Sequence, residues 1–153
     1  MPKYLLAVLA ALLSFSLPTA AEEAAKPVEM TVYRSPTCGC CGKWLEQFEH
    51  SSFNIKNVIT DDLQAVKDKY GVPDKLASCH TAVVDGYVVE GHVPADDIRN
   101  FLRLKPASLG IAAPGMPLGS PGMEMAGQTQ AYRVISFDKD GKFAVFAEHG
   151  SQP

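Results

Sequence analysis

Apolar and polar positions along the chain follow periods typical of an α/β domain. Period-two alternation predicts strands, and apolar residues three and four apart predict helices between them. Asp85-Gly86 lies between two apolar runs, which is a strong local indication of a hairpin. The predicted order is a strand at 29–34, a helix at 41 to about 50, a strand at 53–60, a helix ending at 71, a hairpin of 81–84 and 87–90, and a helix opened by Pro94.

The segment 106–130 interrupts this pattern. It is rich in glycine, proline and methionine, shows no period that suits a helix or a strand, and is longer than an ordinary connection. Two apolar runs at 131–137 and 142–147 then flank an Asp-Gly turn and predict a second hairpin. We therefore expect the segment to loop over the domain before the chain rejoins a sheet.

The order β-α-β-α-β-β-α, with thiols at the start of the first helix, is typical of a thioredoxin-like domain. The fold class expected is α/β: a single thioredoxin-like domain at 29–148, with an added Gly/Pro/Met-rich loop at 106–130 and a C-terminal β-hairpin.

The N-terminus reads as a targeting segment. Lys3 precedes an apolar run at 4–17, and small residues follow up to Ala21, so residues 1–21 have the pattern of a Sec-type secretory signal peptide. The alternative is an uncleaved membrane anchor, but the run is shorter than the roughly 20 residues that span a bilayer. We expect an exported, periplasmic protein with a flexible lead-in at 22–28 and no membrane span after cleavage.

Composition and charge narrow the function classes. The 153 residues are 46% hydrophobic and 20% charged, with a formal net charge of −3. These values exclude a disordered tail and a basic nucleic-acid binder. The four cysteines all follow the predicted cleavage point, so they belong to an oxidising compartment.

The cysteines carry the densest chemistry. Cys38, Cys40 and Cys41 lie within four residues at a strand-to-helix junction, where the helix dipole favours thiolates. Cys79 precedes the third strand, which passes close to that helix start in a thioredoxin-like topology. Four converging thiolates suit Cu(I) first and Zn(II) next, and adjacent thiolates can bridge ions in a small multinuclear Cu(I) cluster.

Two readings without metal remain open. A Cys38–Cys41 disulfide would leave Cys40 and Cys79 to pair, which gives two structural disulfides in a secreted domain. Cys38 and Cys41 also have the C-x-x-C spacing of thiol–disulfide oxidoreductases, so the chain is alternatively an enzyme that cycles this pair.

Methionines and histidines supply further candidates. Met116, Met123 and Met125 place thioethers, which select Cu(I), on the glycine-rich segment; the alternative is that they fill gaps against the core. His80 follows Cys79, and His92 ends the first hairpin, so each is a candidate ligand or a residue that orients one. Neither His50 nor His149 has a distinguishing context.

Four motifs in order resemble the CopG-type family of periplasmic, thioredoxin-like proteins tied to bacterial copper resistance. The resemblance covers about residues 28–148, and its motifs are Ser35-Pro36-Thr37-Cys38-Gly39-Cys40-Cys41, Ser78-Cys79-His80-Thr81-Ala82, Glu90-Gly91-His92-Val93-Pro94-Ala95, and Pro114-Gly115-Met116-Pro117 with Gly119-Ser120-Pro121-Gly122-Met123-Glu124.

The resemblance implies a Cu(I)-thiolate site formed by Cys38, Cys40, Cys41 and Cys79, and a role in copper handling or detoxification. It leaves silver and cadmium open as alternative ions. The expected partners are copper ions and other periplasmic copper-handling proteins. The sequence favours a binding protein over an enzyme; the enzyme alternative is a copper or thiol–disulfide oxidoreductase that uses Cys38 and Cys41.

Overall fold

A computed structural model describes residues 26–150 of the chain. The predicted signal peptide at 1–21, and residues 22–25 of the predicted lead-in, lie outside the described residues.

One mixed sheet of seven strands forms the centre of the domain, in the order β2-β1-β3-β4-β5-β6-β7. β1 is parallel to β2 and antiparallel to β3, while β4 is parallel to β5. The elements are β1 Val28–Arg34, α1 Gly39–Glu46, β2 Phe53–Ile59, α2 Leu63–Tyr70, a 3₁₀ turn Asp74–Leu76, β3 His80–Val84, β4 Tyr87–Gly91, α3 Ala95–Leu104, β5 Gly110–Ala113, β6 Tyr132–Phe137 and β7 Phe143–His149.

The α/β fold class is confirmed, and the β-α-β-α-β-β-α order of the strands and α-helices from β1 to α3 fits a thioredoxin-like domain. Local capping explains why α2 forms where it does: Asp62 accepts a hydrogen bond from the Ala65 N–H, and Gly71 ends the helix in the left-handed conformation. Asp85 and Gly86 both have positive φ, as the tight hairpin between β3 and β4 requires.

The first helix is shorter than its apolar spacing predicts. α1 ends at Glu46 rather than near residue 50, because the chain continues in turns and reaches a positive φ at His50. Phe48 is still buried in the core, so the turn preserves the spacing that the sequence shows.

The prediction that 106–130 contains no strand is wrong at one place. Gly110–Ala113 forms β5, whose four residues are all buried between β4 and β6. The strand shows no alternation because both of its faces are covered. The expectation that the chain then rejoins a sheet is confirmed by β6 and β7.

The larger core cluster fixes the position of the cysteine-bearing helix. Trp44 of α1 and Phe48, in the turn that follows the helix, pack in that cluster with Ile98 and Phe101 of α3, against Val32 of β1. The start of α1 is thereby held at the end of β1. Among residues 26–150, no helix has the length and apolar character needed to cross a membrane.

Candidate metal centre

Four sulfur atoms converge at the end of β1. The Sγ atoms of Cys38, Cys40, Cys41 and Cys79 all lie within 4.8 Å of one another. The start of α1 supplies the first three, and the antiparallel pairing of β1 with β3 brings Cys79 beside them. The expectation that Cys79 meets the cysteine cluster in space is confirmed.

The cluster is partly oxidised. Cys38 and Cys41 form a disulfide with a Cα–Cα distance of 5.4 Å, while Cys40 and Cys79 are free thiols. The Sγ of Cys40 is 3.5 Å from the Sγ of Cys38. The structure therefore contains one disulfide rather than the two of the purely structural reading, and two of the four sulfurs are bonded to each other.

Two histidines flank the Cys79 sulfur. His92 Nε2 lies 3.0 Å and His80 Nδ1 lies 3.4 Å from Cys79 Sγ. His92 Nδ1 donates to the Pro121 carbonyl at 2.7 Å, since a carbonyl oxygen only accepts. In the neutral ring, Nε2 of His92 is therefore the acceptor that faces Cys79.

Burial sets the protonation of this group. It raises the pKa of Cys79 to about 12, with a further contribution from the neighbouring Cys40. Burial also lowers the pKa of His92, and that of His80 well below its usual range. Near neutral pH the metal-free site thus holds a Cys79 thiol beside two neutral imidazoles, and a metal must displace that proton to gain the thiolate.

The imidazole of His80 has a second notable feature. Its ring centroid is 4.3 Å from that of Trp44, and its Nε2 is buried with no hydrogen-bond partner among residues 26–150. Trp44 is itself fixed by donating from Nε1 to the Val93 carbonyl at 2.9 Å. No hydrogen bond within the described residues uses this nitrogen, so it is available as a metal ligand.

A buried ion pair lies behind Cys79, and the sequence analysis missed it. Glu90 is fully buried and forms a salt bridge with Lys67. The same carboxylate accepts from the Ser78 N–H at 2.6 Å and from Thr81 Oγ1 at 2.7 Å. Glu90 therefore fixes the residue that precedes Cys79. The only sequence sign was a charged residue at an inward position of an apolar strand.

The methionines divide between two places. Met123 and Met125 line a cavity of about 370 Å³ together with Cys40, which belongs to the cysteine cluster. Met116 is 52% exposed and lines a different cavity, beside the C-terminal hairpin. Gly122 lies directly over α1, where an added Cβ would be 2.8 Å from the Cys40 carbonyl oxygen.

Comparisons with known proteins agree with this arrangement. A family model described as "Protein of unknown function, DUF411" matches residues 76–123, which contain Cys79, both flanking histidines and the first part of the methionine segment. None of the curated proteins matches the chain. Two solved structures are similar, "Copper resistance protein copG" in its Form 1 and its Form 2.

Each CopG structure is 44% identical to this chain with a TM-score of 0.77. The match to Form 1 covers 82% of this chain and the match to Form 2 covers 81%, and each covers 99% of the CopG chain. The chain belongs to the CopG family. The resemblance inferred from the four motifs is thereby confirmed, and the match to the CopG structures extends over most of the chain.

Proposed function

We propose that this CopG-family chain is an exported, periplasmic copper-binding protein that acts in copper handling or resistance. Copper is its cargo, held as Cu(I) by the thiolates of Cys38, Cys40, Cys41 and Cys79 as one ion or as a small multinuclear cluster. The observation that carries the proposal is the convergence of four sulfur atoms within 4.8 Å of one another.

The chemistry of the donor set supports copper. Thiolates and thioethers are soft ligands that select Cu(I), and neutral imidazole is a common copper ligand as well. Cys79, His80 and His92 also have their donor atoms within 4.8 Å of one another, which makes the two histidines additional ligands or residues that orient Cys79. Met123 and Met125, beside Cys40, cover the site or pass copper to it.

The disulfide makes copper binding dependent on reduction. With Cys38 and Cys41 bonded, only Cys40 and Cys79 offer thiolates. We expect the air-oxidised chain to bind Cu(I) weakly, and the reduced chain to bind it in an amount that falls when Cys79 is replaced by serine. Metal per chain by mass spectrometry and free thiols by titration measure this.

The matched control is Ser136→Ala. It removes an exposed hydroxyl of β6 that donates to the Ala144 carbonyl, and it removes no sulfur. Unchanged copper stoichiometry in Cys79→Ser would remove Cys79 from the site. Two disulfides and no metal after reduction and Cu(I) challenge would contradict the copper proposal.

The Cys38–Cys41 disulfide favours a second candidate function, an oxidoreductase. In this mechanism the dithiol is oxidised to the disulfide, releasing two electrons and two protons. The acceptor is a protein disulfide, which is reduced to a dithiol, or two Cu(II) ions, each of which gains one electron.

This mechanism predicts that Cys40 is dispensable. We expect Cys40→Ser to retain turnover while Cys38→Ser loses it, measured as Cu(II) reduction or as reduction of a model disulfide. Equal loss in both variants would rule out a simple two-cysteine cycle and would favour a site that needs all the sulfurs.

A further inference from the structure

A second cavity lies beside the C-terminal hairpin, away from the four sulfurs. It has a volume of about 570 Å³ and is lined by residues of the methionine segment and of β6 and β7. Met116, Tyr132 and His149 are among its walls. Neither the cysteine cluster nor the oxidoreductase alternative makes use of these residues.

His149 is held in one orientation. Its Nε2 lies 2.6 Å from Oδ2 of Asp97, a residue in the first turn of α3 whose side chain is 10% exposed. Because a carboxylate accepts hydrogen bonds, Nε2 carries the hydrogen. In the neutral ring, Nδ1 then has a free lone pair that can bind a metal ion. The Tyr132 ring stacks on this imidazole with centroids 4.9 Å apart. A histidine fixed by a carboxylate through one nitrogen, with the other free, is typical of metal ligands.

Met116 supplies a soft donor to the same cavity. The residue is 52% exposed, so packing in the core does not explain its presence there. The residue before it, Gly115, accepts from Ser78 Oγ at 2.5 Å, and Ser78 precedes Cys79. This hydrogen bond therefore links the residue before Met116 directly to the residue before Cys79.

The charges around the cavity also suit a cation. Burial raises the pKa of Tyr132 to about 12, with contributions from the negative charges of Asp97 and Glu124. Arg133, which also lines the cavity, is paired with Glu148 at 2.8 Å. The one cation in the wall is thus largely neutralised.

We propose that His149 Nδ1 and Met116 Sδ bind a soft monovalent cation, Cu(I) or Ag(I), at a second site beside the C-terminal hairpin. The role of this site as a loading position for copper rests on the proposed function, whereas the site itself does not. A thioether and an imidazole without a thiolate bind Cu(I) or Ag(I) less tightly than the four sulfurs, so a cation at this site exchanges more readily.

The test uses Ag(I), which does not change oxidation state, and a chain with ¹³C-labelled methionine methyl groups. In the Cys40→Ser/Cys79→Ser variant with Cys38 and Cys41 bonded, no free thiol remains, so bound silver reports other donors. We expect the Met116 methyl and the His149 ring resonances to shift together and to saturate at one Ag(I) per chain. The wild-type chain, titrated in parallel, gives the same two resonances if the double variant folds poorly.

Met116→Leu and His149→Gln should each weaken this binding at least about tenfold, and Asp97→Asn about 10- to 100-fold by releasing the imidazole. The matched control is Met125→Leu, an exposed methionine in the cavity beside Cys40. The proposal is overturned if the Met116 methyl does not shift, if only the Met123 and Met125 methyls shift, or if the Met116 shift persists in His149→Gln. Failure of the four cysteines to bind copper would leave these results unchanged, so the two proposals fail separately.

Discussion

Replacing Glu90 with glutamine is expected to lower the free energy of unfolding by about 3–5 kcal/mol. The substitution keeps the size of the side chain but leaves the Lys67 ammonium, which is 5% exposed, without its counter-charge. An uncompensated buried charge is far more costly than a lost surface ion pair. Burial also raises the pKa of Glu90, against the opposing effect of Lys67 and its hydrogen bonds, so the carboxylate depends on those partners for its charge.

Chemical denaturation of the metal-free chain measures this loss, and the melting temperature should fall by roughly 10–20 °C. The double variant Lys67→Met/Glu90→Leu should recover part of the stability, because it removes both buried charges together. The matched control is Asp96→Asn, which breaks the exposed Asp96–Arg99 pair and should change the stability by less than about 1 kcal/mol. A Glu90→Gln chain as stable as that control would mean that solvent compensates the Lys67 charge.

The same carboxylate connects stability to the metal centre. Glu90 accepts from the Ser78 N–H, and glutamine leaves that contact with a weaker, uncharged acceptor. Gly91 follows, and an added Cβ there would be 2.7 Å from Ser78 Cβ, so β4 and the Ser78-Cys79 segment are in close contact. We therefore expect Glu90→Gln to loosen Cys79 as well as to destabilise the fold.

Interactions between residues close in the sequence were sufficient to predict most of the fold. The Asp-Gly turn, the Asp62 cap and the Gly71 stop each act through neighbouring residues, so a reader of the sequence can place the elements they bound. The C-x-C-C motif at a strand-to-helix junction also placed three sulfurs, and the topology placed the fourth.

Long-range partnerships were not accessible in this way. Lys67 and Glu90 are 23 positions apart, and Asp97 and His149 are 52 apart. A single chain carries no local sign that such side chains meet. His149 accordingly had no distinguishing context in the sequence, although the fold gives it a carboxylate and an aromatic partner. The strand β5 was not predicted for a related reason: its four residues are all buried, so they show no alternation of apolar and polar positions.

Two hydrogen bonds fix the methionine segment to the candidate metal centre, which supports the view that the segment is part of the site. The Pro121 carbonyl accepts from His92, and the Gly115 carbonyl accepts from Ser78. The residues on either side of the Cys79 sulfur are thus held by a segment that follows α3. Displacing this segment should change the reactivity of the thiols without removing any of them.

Gly122→Ala is expected to produce that displacement. Gly122 has a φ of +83°, and an added Cβ would be 2.7 Å from the Trp44 backbone nitrogen and 2.8 Å from the Cys40 carbonyl oxygen. Both neighbours are backbone atoms of α1 and cannot rotate away. Relieving an overpacked contact of this kind costs about 1–3 kcal/mol beyond the strain of the left-handed conformation itself, so the segment should separate from α1 about tenfold more often.

The rate of Cys40 alkylation by iodoacetamide measures this separation in the chain with Cys38 and Cys41 bonded, and we expect it to rise at least about tenfold. Peptide mass spectrometry distinguishes Cys40 from Cys79, whose raised pKa keeps it protonated and slow to react. Gly127→Ala is the matched control: its φ is +71°, but an added Cβ meets no atom within 4 Å. It imposes the same backbone conformation without the contact. Equal alkylation rates in the two variants would mean that the close approach of Gly122 to α1 does not protect Cys40, and that the thiol is already open to solvent beneath the methionines.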